Sequence, residues 1–346
     1  MSLPLARLDH LAALCDDTGL LEHAQLSTPR RDCGYTTDDN GRMLVVLARA
    51  DQTRIDGVEV TARVERLCRI GLSYLQHAAL ADGDGFRNRM SYDRRWLDDR
   101  GSDDSNGRAL WGLGTLAART PQPDLAESAH RLFWSKYRFR SPHPRAVIYA
   151  ILGATELAEV DPSPELRHQI RSWVEQLPAV GHNLADLNGW RWPEPRMTYD
   201  NARFPEAMIS AGAVLGDSSL VDDGMGLLRW LIETETAGSH FSFTPVGGRG
   251  PGGFGPRFDQ QPIEAWAMID ASAVAASVDG KEWEEYEGRA RDWFTGANDL
   301  GETMIDSGSG GGFDGLTVRG PNRNQGAEST LAALAALSYA KAGRRR

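Results

Sequence analysis

Gly34-Tyr35-Thr36-Thr37-Asp38-Asp39-Asn40-Gly41-Arg42 runs directly into Met43-Leu44-Val45-Val46-Leu47-Ala48. Two acids, an amide and an arginine therefore open an apolar run with helical spacing. Thr37 or Asp38 can cap such a helix by accepting from its free amides. Capping accounts for one acid. It leaves a second acid, an Asn and an Arg on an otherwise apolar helix, which points to a site. The phrase recurs as Asn106-Gly107-Arg108, Asp200-Asn201-Ala202-Arg203, Asp259-Gln260-Gln261 and Asn324-Gln325-Gly326, each before another apolar run. Polar helix starts repeated in this way are expected to converge in a ring, and a ring of that chemistry suits a neutral, hydroxyl-rich ligand such as a sugar.

Six segments carry such a start and are then rich in Ala, Leu and Gly. They begin near Asp39, Asn106, Arg145, Asn201, Gln260 and Gln325, and being apolar nearly all round they read as buried helices. Six others, at about residues 4–16, 59–78, 123–136, 163–176, 218–234 and 281–296, are amphipathic by their charge pattern. The two kinds alternate. Helix pairs that cannot bury their faces alone must stack on their neighbours. The expectation is an all-α (α/α)6 barrel forming a single domain over residues 1–346, the motif helices inside, with an open solenoid as the alternative. Loops at 80–104, 180–198, 240–257 and 305–323 are long and rich in Gly, Trp and Arg, as expected for a binding face on a rigid scaffold.

A net charge of -10 argues against a broad nucleic-acid surface. No stretch reaches the ~18 uninterrupted apolar residues of a membrane span, and Leu3 to Leu14 reads as an amphipathic helix rather than a leader. Cys15, Cys33 and Cys68 are odd in number and lack a CxxC pair, which fits reduced thiols and a cytoplasmic protein. Cys33 can line the pocket or be a small buried residue. Arg344-Arg345-Arg346 reads as a solvated tail.

Candidate catalytic carboxylates are Asp39, Asp200, Asp259 and Glu328. Around them, Tyr35, Asp38, Asn40 and Arg42 belong to the first motif. Trp190, Trp192, Glu194, Tyr199, Asn201 and Arg203 pack aromatic faces, acids and amides into a few turns, the composition that grips sugar rings. Arg257, Gln260 and Glu264 follow a Gly-rich run, Gly247 to Gly255, that lacks P-loop spacing and reads as a lid or wall. Trp96 in the 82–104 excursion, Asp104, Arg108, His143 and Gln325 complete the expected ligand contacts, with Asp103 or Asp104 also able to cap the second inner helix. Glu206 reads as a structural partner of an arginine. The core readings of the Trp residues, an N-cap role for Asp200 and a buried ion pair at Glu328 stay open. Asp82-Gly83-Asp84-Gly85 lacks the ligand pattern of a calcium loop, so no metal or cofactor is expected.

The alternating helices, the acids at inner-helix starts and the Trp-rich loops resemble the six-hairpin glycosidase superfamily over essentially the whole chain. That resemblance implies a carbohydrate-active enzyme with an oligosaccharide or glycoside partner, among hydrolases, phosphorylases, polysaccharide lyases and sugar epimerases; fold alone does not choose. In a hexagonal ring the Asp39 and Asp200 helices are opposite, leaving a gap of about 8–10 Å between their side chains. Carboxylates so spaced suit an inverting glycoside hydrolase. A lyase or epimerase using Tyr35, Tyr199 or His143, or a non-catalytic sugar-binding protein, are the alternatives.

Overall fold

The computed structural model describes residues 3–81, 83, 85–178, 189–253 and 257–339. Among these, twelve α-helices run in order: α1 (Asp9–Leu14), α2 (Thr37–Arg49), α3 (Val60–Ala78), α4 (Asp103–Arg119), α5 (Pro123–Lys136), α6 (Pro144–Leu157), α7 (Pro164–Val174), α8 (Arg203–Leu215), α9 (Ser218–Glu235), α10 (Pro262–Asp279), α11 (Glu282–Trp293) and α12 (Ala327–Ser338). The even-numbered helices pack side by side in sequence, and α12 returns to α2. Ala50 bridges to Tyr339 at that seam. The ring is closed, so the chain has the (α/α)6 barrel fold and not an open solenoid.

Composition explains which helices go inside. Thirteen of the 18 residues of α10 and 11 of the 12 of α12 are buried, polar ones included, whereas α3 and α7 bury one stripe. Glycine decides how tightly the inner ring closes. A Cβ on Gly41 would lie 2.7 Å from the Arg108 carbonyl oxygen, and one on Gly107 would overlap the Ala146 carbonyl. The Gly of the recurring Asn-Gly-Arg phrase is therefore the contact point between neighbouring inner helices.

Links at the carboxyl ends of the inner helices are short, as at 120–122, 216–217 and 280–281. The long segments precede the inner helices and gather at their amino ends. They contain only short ladders, such as Tyr35–Thr36 antiparallel to Arg89–Met90 and Gly315–Thr317 antiparallel to Gly320–Asn322. Along the barrel axis, Trp111 stacks on both Tyr149 and Trp266, and the Arg203 guanidinium lies 4.5 Å and 4.7 Å from the Trp111 and Trp266 ring centres. The interior is thus filled between the mouth where the long loops meet and a smaller cavity of about 200 Å³ at the carboxyl ends of the inner helices, lined by Arg49, Arg119, Glu156 and Asp270 among others. Among the described residues no helix is long and apolar enough to cross a membrane. The tail at 344–346, Asp82, Asp84 and part of the Gly-rich run lie outside the described residues.

Candidate active site

Capping is done by residues just before the acids. Thr36 Oγ1 accepts from the Asp39 amide at the start of α2, and Ser102 Oγ accepts from the Ser105 amide at the start of α4. This corrects the expected caps: Thr37, Asp38, Asp103 and Asp104 are not needed there. Asp200 also is no cap, because α8 starts at Arg203 and Asp200 sits before it in the left-handed region at φ 52°. Glu264 of α10 holds that turn. Its carboxylate accepts from the Asp200 amide and, at 3.0 Å each, from the amide and side chain of Asn201.

The amides of the recurring phrase are loop anchors. Asn40 accepts from the Leu20 amide and donates to the Thr36 carbonyl; Asn106 accepts from the Phe86 amide and donates to the Ser102 carbonyl. Asn201 accepts from the Thr198 amide, and Gln260 accepts from the Phe243 amide while donating to the Arg257 carbonyl. A buried backbone amide needs a partner, and these side chains supply it. The repeat records a repeated folding task.

The acids and arginines do converge. Arg42 binds Asp39 at 2.6 Å, Glu328 at 2.8 Å and Asp38 at 3.6 Å. Arg108 binds Asp104 at 2.6 Å, Asp38 at 3.6 Å and Asp200 at 3.9 Å. Asp38 is the middle of a row, Glu328–Arg42–Asp38–Arg108–Asp104, drawn from α12, α2 and α4. Its carboxylate, with those of Asp104 and Glu328, reaches the mouth, being 22%, 24% and 35% exposed, while Asp39 and Asp200 lie beneath. Tyr149 donates to Asp200 at 2.6 Å and accepts from Arg108 at 2.8 Å. Sequence reasoning missed Tyr149, although it stands one turn after Arg145 on the inward face of α6. Arg145 binds Glu194 at 2.5 Å and also donates to the Tyr199 carbonyl. A cleft of about 560 Å³ opens beside this row, lined by Asp104, His143, Arg145, Glu194 and Tyr199 among others.

Charge divides the two neighbouring aspartates. Burial, then the nearby Asp38 and Glu328, push Asp39 up to about 7 against the pull of Arg42. Burial also opposes ionisation of Asp38, but Arg42 and Arg108 outweigh it and hold its carboxyl below the usual range. One member is poised to carry a proton near neutrality while its neighbour is ionised, the arrangement required for acid and base roles.

Other expected contacts are placed elsewhere. Asp259 and Arg257 are exposed, and the Asp259 carbonyl accepts from the Val246 amide on the loop, away from the carboxylate row. Gln325 turns toward Asp306 and Ser309 while its carbonyl meets the His10 ring. Trp96 packs on Tyr74 and His77 of α3, and Tyr35 is buried with its hydroxyl donating to Asp16. Trp192 is buried against Phe204, and Trp190 packs edge-on to Trp230; both indoles donate to Glu194 rather than presenting a free face. Arg203 is fully buried, bound to Asp200, Glu206 and Asp270, too deep for a ligand. Glu206 takes its expected structural role there. Cys15 and Cys68 are buried and Cys33 is half-buried. Among the described residues no three His, Cys, Asp or Glu side chains group as a metal would require.

Fold and site together define an (α/α)6 barrel with an arginine-braced carboxylate row at the amino ends of its inner helices. No protein-family model matches the sequence, and no curated protein is similar to it. Solved structures are similar at low identity. Cellobiose 2-epimerase from Bacillus thermoamylovorans is 12% identical with a TM-score of 0.70, covering 96% of this chain and 95% of its own. A sugar epimerase from a ruminal bacterium is 12% identical with a TM-score of 0.68, covering 94% and 93%. An α-1,6-mannanase of a Salegentibacter species, solved with α-1,6-mannotetrose as an inactive variant with two consecutive aspartates replaced by alanine, is 12% identical with a TM-score of 0.62, covering 95% and 94%. The resemblance to the six-hairpin glycosidases therefore holds at the level of the fold.

Proposed function

We propose that this protein is a carbohydrate-active enzyme, a glycoside hydrolase acting on an oligosaccharide at the Asp38–Asp39–Glu328 cluster. The observation that carries this reading is three carboxyl groups around the single guanidinium of Arg42, with burial raising Asp39 to about 7 while Arg42 and Arg108 hold the neighbouring Asp38 low. Glycosidic cleavage needs one carboxylic acid to protonate the leaving oxygen and one carboxylate to act as base or nucleophile. The mannanase that is inactive with two consecutive aspartates exchanged supports it, since this chain carries consecutive aspartates at Asp38-Asp39 and at Asp103-Asp104, the starts of two inner helices.

Asp200 is buried behind Tyr149 and Arg108, so it is poorly placed to act on a sugar from the far wall as the inversion expected from acids across the ring would require. With Asp39 as donor, Asp38 and Glu328, which share Nη2 of Arg42, are the more exposed carboxylates left to act as base or nucleophile. The test is a panel of oligosaccharides and aryl glycosides, with the first-formed anomer read by proton NMR. Release by the folded wild type, abolished in Asp38→Asn, supports the reading; a folded protein that releases sugar from no member of the panel rejects it.

A sugar epimerase or isomerase is the second reading. His143 stands exposed in the cleft beside Arg145 and Tyr199, supplying the base and cation such chemistry uses. Exchange of solvent deuterium into an unhydrolysed sugar would favour it.

A further inference from the structure

The cleft bordered by Asp104 has a neighbouring cavity. Arg100 lines both the cleft and this larger cavity of about 690 Å³ bounded by Tyr137, Arg138, Arg140, Glu165, His168 and Gln169. The outer cavity has the opposite charge character to the mouth. Its wall holds one acid, Glu165, against three arginines, on a chain whose net charge is -10. Arg100 and Arg140 are exposed, and among the described residues neither takes part in an ion pair. Arg42, Arg108 and Arg145 near the mouth are, in contrast, held in ion pairs with carboxylates.

We infer that the groove binds an acidic oligosaccharide, with an uncharged sugar unit at the carboxylate row and a carboxylate- or sulfate-bearing unit over Arg100 and Arg140. The inference rests on the proposed hydrolase reading and assigns its substrate class. The polarity follows from electrostatics. An anionic substituent beside Asp38, Asp104 and Glu328 is repelled, whereas in the outer cavity the same substituent meets Arg100 and Arg140, which have no ion-pair partner among the described residues, and guanidinium groups bind planar oxyanions in bidentate fashion. Two adjoining cavities of these sizes also exceed what one sugar ring fills. Tyr137 adds an aromatic side chain to the wall of the outer cavity.

The experiment is isothermal titration of the full-length protein with tetragalacturonate, a sulfated galactan tetrasaccharide and uncharged mannotetraose, at low and high salt. At least one acidic probe should bind about tenfold tighter than the uncharged one, equivalent to one good charge contact, and salt should erode that advantage. The acidic probe that gains identifies the charged group. In Arg100→Ala/Arg140→Ala the advantage, read as the ratio of acidic-probe to mannotetraose affinity for that same variant, should vanish. Acidic probes that bind no tighter than the uncharged one, or an advantage that survives the double variant, overturn the assignment while leaving the hydrolase reading standing. Failure of the wild type to bind any of the three overturns both.

Discussion

Asp38 and Asp39 differ by one position and by their surroundings. A donor role for Asp39 requires its proton, which is lost as pH rises through about 7; Asp38 must be ionised, and its charge is lost only as pH falls below the ordinary carboxylate range. Activity is therefore expected to fall on the alkaline side near pH 7 and to persist well into acid, with apparent values belonging to the coupled pair. A pH–rate profile with an acid limb near 7 contradicts the assignment. Asp39→Asn should remove the alkaline limb and lower kcat by roughly 10²–10⁴-fold, the usual worth of a general acid. Arg203 belongs to a different task. It is fully buried and neutralises Asp200, Glu206 and Asp270 from between two indoles. Arg203→Ala leaves those acids uncompensated and should cost about 3–5 kcal/mol in urea unfolding. A loss of activity at unchanged stability would instead make Arg203 a ligand contact.

Among the elements, α2, α4 and α6 are held together by backbone approach rather than by interlocking large side chains. Gly107→Ala forces a methyl into the Ala146 carbonyl and should destabilise by roughly 1–3 kcal/mol or more, as overpacking does. Gly226→Ala is the control. Gly226 lies within α9, is exposed, and has nothing within 4 Å of a built Cβ. Relief of glycine's helix penalty should stabilise that variant by about 0.5–1 kcal/mol. Equal effects of the two substitutions in denaturant titrations would remove close helix approach as the reason for the Asn-Gly-Arg phrase. The same elements show why the amides misled: a buried helix start must satisfy the amides of the loop packed on it, and Asn40, Asn106, Asn201 and Gln260 do so in turn.

Across the whole molecule, charge is buried along the barrel and sets a pH dependence. Burial, in each case the largest cause, pushes Asp39, Glu206 and Glu235 up to about 7. Between the ordinary carboxylate range and about pH 7 the folded chain holds protons that the unfolded chain releases, so stability falls as pH rises through that window. Glu156 has the opposite sign. Burial opposes its charge, but Arg49 and Arg119 bring it to about 2, so its contribution is complete above the unfolded value and is lost only in strong acid. The melting temperature should thus be higher at about pH 5 than at about pH 7.5, and Glu206→Gln should flatten the difference. A melting temperature that climbs steadily over this interval would contradict the buried protons. The periodicity of apolar residues determined the barrel, because a helix apolar on every side has nowhere to go but inside, and one charged on a single face has nowhere to go but around it. The helix starts at Asp38, Asp104 and Glu328 were legible as places where charge can point out of the end of a buried helix, whereas Asp39 turns inward to Arg42. Only the tertiary structure decided that Asp259, Gln260, Gln325 and the Trp residues serve the loops, that Tyr149 joins Asp200 to Arg108, and that Asp38 rather than Asp200 stands at the mouth, since those outcomes depend on which neighbouring helix and loop each side chain meets across the ring.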